Sequence, residues 1–165
     1  MHSYAAKLAN GFEHSAKFLE DTLEKQFQNT NDAPSNITTD CLLGLTCSLA
    51  VISALSVEIA LKALINKVNG IRAKGHNHSH LFLLLPEELR QHISLDYKKI
   101  SEKYNLENHS KITTDLQTIL NLTKNSFEQW RYIYETESAY EFPVRGARNL
   151  NIVLLNTYNK LNHSD

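Results

Sequence analysis

A long apolar stretch, Thr39–Val68, limits the folds that are open to this chain of 165 residues. No charged residue lies between Asp40 and Glu58, and Lys62 is the next charged residue along the chain. The apolar positions cover most of a helical wheel, and such a helix must be enclosed by other helices or by lipid. We therefore expect a central helix that is wrapped by its neighbours in a helical bundle.

A membrane-spanning role for this stretch is less consistent with the sequence. Its uncharged run is at the short end of the roughly 17–25 residues that cross a bilayer. Acidic rather than basic residues flank it, no aromatic belt is present, and four hydroxyl residues interrupt it. The N-terminus lacks a basic start followed by an apolar run, as a secretory signal would have. We therefore predict a cytoplasmic protein without membrane contact. The hydroxyl residues are Thr46, Ser48, Ser53 and Ser56.

The remaining pattern predicts one all-α domain over residues 1–165, an up-and-down bundle of about five helices. No segment alternates with a period of two, and no internal repeat is present. The predicted helices cover 4–28, 39–69, 86–104, 111–135 and 143–161, with Thr38, Thr39 or Asp40 as the cap of the second. A polar connector (71–79) and a short apolar turn (80–85) separate the second helix from the third.

The first helix shows apolar residues at steps of three and four, which predict its inward face. Charged residues, Glu13 and Glu20 among them, are placed on the opposite side. The predicted inward residues are Tyr4, Leu8, Phe12, Ala16, Leu19, Leu23 and Phe27.

Cys41 and Cys47 both lie in the central helix. Six residues of helix correspond to a rise of about 9 Å, whereas Cα atoms joined by a disulfide are usually less than about 7 Å apart. The two residues cannot pair with each other there, so we expect buried free thiols in a reducing compartment.

Three charged residues are candidates for function because they border apolar helix faces: Glu58, Lys62 and Arg131. A buried charge without a partner costs several kcal/mol, so each should have one. Two interpretations remain open. Arg131 pairs with Glu58 or another acid and fixes the helix register, or Arg131 and Lys62 face a cleft and bind a phosphate or carboxylate.

The histidine run Gly75–His80 is a second candidate. Alternate histidines of an extended segment project to one side and can hold a transition metal. No cysteine or carboxylate lies nearby, and the spacing matches no zinc site. We therefore predict no metal and no cofactor, with one histidine docked at a helix start.

A basic patch and a solvated face explain the other basic residues equally well; these are Arg145, Arg148 and Lys111. The net charge of −1 gives no electrostatic basis for wholesale nucleic-acid binding.

Three sequence segments together resemble the HEPN superfamily of small helical-bundle proteins. They are Ser56–Leu64 (SVEIALKAL), Gly75–Leu81 (GHNHSHL) with the following Leu85–Leu89 (LPEEL), and Phe127–Glu135 (FEQWRYIYE). The resemblance covers roughly residues 40–160 and implies a helical bundle with its functional helix late in the chain.

Many members of that family resemble metal-independent ribonucleases, in which an Arg precedes a His by four to six residues. They are commonly homodimers and serve toxin–antitoxin or phage-defence systems. Arg131 has the position of that Arg, but residues 136–138 (TES) stand where the His is expected. Arg72 and His78 have the required spacing, but they lie in the polar connector, so we attribute this match to the family spacing to chance.

The sequence therefore predicts a HEPN-like homodimer whose cleft binds RNA or a nucleotide, with Arg131, Lys62, Glu58, His80 and Tyr134 as its site residues. One alternative is a ribonuclease that uses a histidine of the 76–80 run for acid–base chemistry. Another alternative is a non-catalytic module that binds a partner protein and exposes an apolar patch.

Overall fold

The computed structural model of the protein describes residues 4–28, 38–124 and 142–162. These ranges contain helices and their connections but no strand, so the predicted all-α class is confirmed. Six helices occur in these ranges instead of the predicted five, because the apolar turn expected at 80–85 is itself a helix. They are α1 (Tyr4–Gln28), α2 (Thr39–Asn69), α3 (His78–Leu83), α4 (Glu87–Asn108), α5 (Leu116–Thr123) and α6 (Val144–Asn162).

Local capping determines where α2 and α3 begin. The Thr38 side chain accepts a hydrogen bond from the Cys41 N–H (3.3 Å), which confirms Thr38 as one of the three predicted caps of α2. Gly70 ends α2 with a φ of 69°, a left-handed conformation that favours glycine. The side chain of Asn77 accepts a hydrogen bond from the His80 N–H (2.9 Å), so α3 begins at His78.

The prediction for the inward face of α1 is wrong in its first half. Tyr4 is 80% exposed, whereas Glu13, which was assigned to the polar side, is buried. The core-facing positions of α1 are instead mainly alanines, which allow close approach of the neighbouring helices. Accordingly, the Ser56 hydroxyl of α2 donates a hydrogen bond to the backbone carbonyl of Ala9 (2.8 Å). The buried apolar residues of α1 are Ala6, Ala9, Ala16 and Leu23.

Helix α2 is buried over only part of its length. Its core-facing residues are buried from Leu49 to Ile65, but Leu43 is 61% exposed and Cys41 is also exposed. The predictions that the whole helix is enclosed and that both thiols are buried are therefore wrong. By length and composition α2 also meets the requirements for a membrane span, as core helices of bundles often do.

The boundaries of α4 and α5 differ from the prediction by several residues. Helix α4 continues to Asn108, past the break expected at 105. Helix α5 begins at Leu116 rather than at 111, because the Asp115 side chain accepts hydrogen bonds from the next helical N–H groups. Residues 111–115 are held in a non-helical segment, where the Tyr97 hydroxyl donates to the Thr113 carbonyl (3.0 Å).

Side-chain contacts place α6 between α1 and α4 and define its direction. Arg145, at the start of α6, pairs with Glu24 near the end of α1, and Arg148 reaches back to Glu13, so the two helices are antiparallel. Along α4, the Asn149 amide donates to Ser101 Oγ (3.3 Å). Helix α6 therefore connects α1 and α4 through buried polar contacts.

Candidate functional site

Glu58 forms the centre of a buried polar cluster on α2. Its carboxylate accepts a hydrogen bond from Lys62 Nζ (2.8 Å), one helical turn later. Each of its two oxygens is also 3.1 Å from Nδ1 of His76 in the connector. The prediction that Glu58 has a partner is confirmed, and the partners are Lys62 and His76. Because a carboxylate only accepts hydrogen bonds, this contact requires the proton on Nδ1 of His76.

Amide side chains of α2 hold the connector that follows it and the end of α3. Asn66 Nδ2 donates to the carbonyl of Ile71 (3.2 Å), and Asn69 Nδ2 donates to that of Leu84 (2.7 Å). Gly75 adopts a φ of 88°, which turns the chain immediately before His76. The imidazole is thus directed at Glu58 while 54% of its side chain stays exposed.

The three histidines of the run have different environments. His78 is buried, and its Nδ1 is 3.0 Å from the hydroxyl of Thr123, which itself donates to the Ile119 carbonyl. Burial lowers the pKa of His78 to about 4, against the opposing effect of the nearby Glu58 carboxylate. His80, the predicted site residue, is exposed, and its side chain makes no hydrogen bond within the described ranges.

His76 is the residue that sequence reasoning missed. The choice of His80 followed from its position at a helix start, whereas the contact of His76 with Glu58 spans 18 residues. A possible signal was Gly75, because a glycine before a histidine permits the turn that docks the ring. No group of three or more metal-ligating side chains occurs in the part of the chain that the structure describes.

A cavity of about 300 Å³ lies beside this cluster, and we call it the Lys62 cavity. The side chain of Lys62 is 27% exposed, and Arg72 is exposed without an ion pair in residues 4–28, 38–124 or 142–162. Among the described residues no acidic side chain lines the cavity. Glu58 offsets the charge of Lys62, with which it pairs, so the positive potential that favours an anion comes mainly from Arg72. It is lined by Ala5, Lys62, Ala63, Asn66, Arg72 and Ala73.

Neither of the two alternatives left open for Arg145 and Arg148, a basic patch or a solvated face, is observed. Arg148 is buried and donates to Glu13 Oε1 from Nε (3.1 Å) and NH2 (2.6 Å), with a further contact to Glu20. Arg145 NH2 is 2.7 Å from Glu20 Oε1, and its guanidinium lies 4.7 Å from the centre of the Tyr104 ring. Burial raises the pKa of Glu20, although both arginines act in the opposite direction. These arginines therefore join α1 to α6 and are occupied.

An open groove of about 520 Å³ between α3 and α4 has a different character. Leu95 in this groove is 58% exposed, and neighbouring Leu83 is 61% exposed. Glu87 and Arg90 both contribute, so the groove has no net preference for an anion. It is the kind of exposed apolar surface that the interaction-module alternative predicts. The lining residues are Phe82, Glu87, Arg90, Gln91, Ser94 and Leu95.

Two of the predicted site residues, Arg131 and Tyr134, lie outside the described ranges, as does the segment in which the family histidine was sought. Of the other three, Glu58 and Lys62 are in contact, and His80 makes no described contact with them. Comparison with known protein families, with curated proteins and with solved structures finds no match for this chain.

Proposed function

We propose that the protein binds a phosphate-bearing ligand, a nucleotide or a nucleic acid, in the Lys62 cavity. The observation that carries the proposal is the pair of cations, Lys62 and Arg72, that line the cavity, where the described lining residues include no carboxylate. Lys62 is paired with Glu58, whereas Arg72 has no ion pair within the described ranges. An ammonium group attracts a phosphate as a point charge, and a guanidinium donates two parallel hydrogen bonds to it. The side-chain oxygen of Asn66, whose Nδ2 donates to Ile71, can accept from a sugar or base.

We further propose that the chain is HEPN-like, cytoplasmic and homodimeric, and that it acts in a defence or toxin–antitoxin system. The support is the resemblance together with one contact. Glu58 and His76 come from two of the three segments that carry the resemblance, and they are hydrogen-bonded to each other. Arg131 and Tyr134, from the third segment, stay in the proposal as further residues of the cleft.

The binding proposal is tested by fluorescence anisotropy with labelled RNA and with labelled nucleotide at fixed salt. Lys62→Met and Arg72→Met should each weaken binding about tenfold or more, as expected for a charge-assisted hydrogen bond. Lys98→Met is the matched control, because Lys98 is an exposed lysine on α4 that pairs with Glu102. No binding by the wild type, or equal losses in all three variants, would reject the proposal.

The contact between Glu58 and His76 favours ribonuclease activity as a second candidate function. In the neutral tautomer that donates from Nδ1 to Glu58, Nε2 carries the lone pair of a general base. In such a reaction Nε2 takes the proton of a ribose 2′-hydroxyl, and O2′ attacks the phosphorus. The bond from phosphorus to O5′ then breaks, and O5′ takes a proton from the imidazolium. The products are a 2′,3′-cyclic phosphate and a 5′-hydroxyl.

Cleavage of a labelled RNA without added metal separates the second candidate from binding alone. His76→Ala should abolish the cyclic-phosphate product, and Glu58→Gln should reduce it strongly because the ring loses its orienting carboxylate. His80→Ala is the control, since His80 is exposed and four residues away. If the wild type binds RNA and leaves it intact, the ribonuclease is excluded and the binding function is kept.

A further inference from the structure

A second cavity with basic character lies on the other side of the start of α1. It has a volume of about 190 Å³, and we call it the Lys7 cavity. Lys7 is exposed, and no ion pair holds it within the described part of the chain. Amide side chains supply the other polar groups, and the described lining residues again include no carboxylate. The lining residues are Ala6, Lys7, Asn10, Leu155 and Asn159.

The two cavities share α1 as a wall. Ala5 lines the Lys62 cavity, and the next residue, Ala6, lines the Lys7 cavity. Lys7 is two residues beyond Ala5, which corresponds to a rise of about 3 Å along the helix. The cations of the two cavities are therefore on two sides of one helical segment, between α2 with its connector on one side and α6 on the other.

The combined charge of these cavities contrasts with that of the chain. Lys7, Lys62 and Arg72 line them, and the described lining residues include no acid, although Glu58 pairs with Lys62 and the whole sequence has a net charge of −1. Because Glu58 offsets Lys62, the cations without an ion pair in the described ranges are Lys7 and Arg72, and two such cations at one end of the bundle produce a local positive potential. A mononucleotide has its phosphate at one end, so it can neutralise one cavity and leaves the other unoccupied. A ligand with phosphates at regular intervals can neutralise both.

We propose that the ligand is a single nucleic-acid strand that continues from the Lys62 cavity past the start of α1 into the Lys7 cavity. This inference rests on the proposed binding function and adds the class of ligand. Lys62 and Arg72 contact one phosphate, and Lys7 contacts another further along the strand. The amides of Asn10 and Asn159 lie in the Lys7 cavity, where they are placed to hydrogen-bond a sugar or base.

The experiment compares a labelled single-stranded 12-mer of uridylate with competing uridine monophosphate, on wild type, Lys7→Met and Lys17→Met. Lys17 is an exposed lysine of the same helix, outside both cavities, and serves as the matched control. Lys7→Met should weaken the 12-mer about tenfold and change the affinity for the monophosphate less than twofold. The slope of log affinity against log salt should decrease by about 0.7, the value for one lost contact to a single-strand phosphate.

The outcomes distinguish this inference from the function on which it rests. If neither ligand binds the wild type, the proposed function fails, and the strand fails with it. If the monophosphate binds in a Lys62-dependent manner and the 12-mer binds no more tightly, the strand alone is rejected. Equal losses of affinity for the 12-mer in Lys7→Met and Lys17→Met would also reject the strand, because the losses would then follow from the changed net charge of the protein and not from a contact with Lys7. Circular dichroism of each variant is the control that tests whether the substitution leaves the fold intact.

Discussion

The buried imidazole of His78 should make the stability of the fold depend on pH. Burial lowers its pKa from 6.5 to about 4 in the folded protein, so the folded state keeps the ring neutral. Below pH 6.5 the unfolded chain takes up a proton that the folded chain does not. The free energy of unfolding therefore falls as the pH falls, and the contribution of this ring is complete above pH 6.5 and lost near pH 4.

The size of the effect follows from the same two values. One proton of difference corresponds to about 1.4 kcal/mol per pH unit. Between pH 6.5 and pH 4 the destabilisation attributable to His78 should reach about 3 kcal/mol, a large share of the stability of a small domain. Glu58, Lys62 and His76 lie close enough to influence this titration.

Urea unfolding at pH 7.5, 6.5, 5.5 and 4.5, followed by circular dichroism, measures this dependence. His78→Gln removes the titrating group, so its free energy of unfolding should decline less with acidification than that of the wild type. The free energy of unfolding of the wild type minus that of the variant should fall by about 2–3 kcal/mol across the series. His80→Gln, the same change at an exposed neighbour, should keep the wild-type profile. Parallel profiles for wild type and His78→Gln would refute the reasoning.

Two further predictions concern packing against α6. Arg148→Met leaves the buried Glu13 without its main partner and should lower the free energy of unfolding by about 3–5 kcal/mol. Adding Glu13→Gln should restore part of the lost stability. A double variant that is no more stable than Arg148→Met alone would contradict this explanation. Gly146→Ala places a Cβ against the side chain of the buried Ile119 and should cost about 1–3 kcal/mol by urea unfolding. Gly11→Ala, where nothing lies within 4 Å, should be neutral or stabilising, and similar losses at both glycines would count against a packing cause.

The boundaries of α2 could be predicted because their signals are local. Thr38 and Gly70 act on the backbone within a few residues, and Thr38 is among the three caps that the sequence predicts. The face that α1 buries could not be predicted in the same way. Its large apolar residues suggested one side, but contact with α2 selects the alanine positions, where the helices approach closely. The positions of the large residues along the sequence do not show how closely α1 and α2 approach each other.

Local sequence signals identify only some of the partners of the buried charged residues. The spacing of Glu58 and Lys62 indicates a pair within one helix, and this pair is present. The contact between Arg148 and Glu13 spans 135 residues, so only the packing of α6 on α1 reveals it. A charged residue at the edge of an apolar stripe indicates that a partner exists, but it does not identify the partner.

The different environments of Lys62 and Arg72 assign them different parts in ligand binding. Lys62 is held by Glu58, which His76 fixes in turn, so the ammonium group is already positioned at the cavity. A preorganised side chain loses little rotamer freedom when a ligand binds. Arg72 is exposed and unpaired within the described ranges, so ordering it should cost about 0.5–1.5 kcal/mol of the binding free energy. Glu58 should therefore affect ligand affinity through the position of Lys62, even though its carboxylate repels the phosphate.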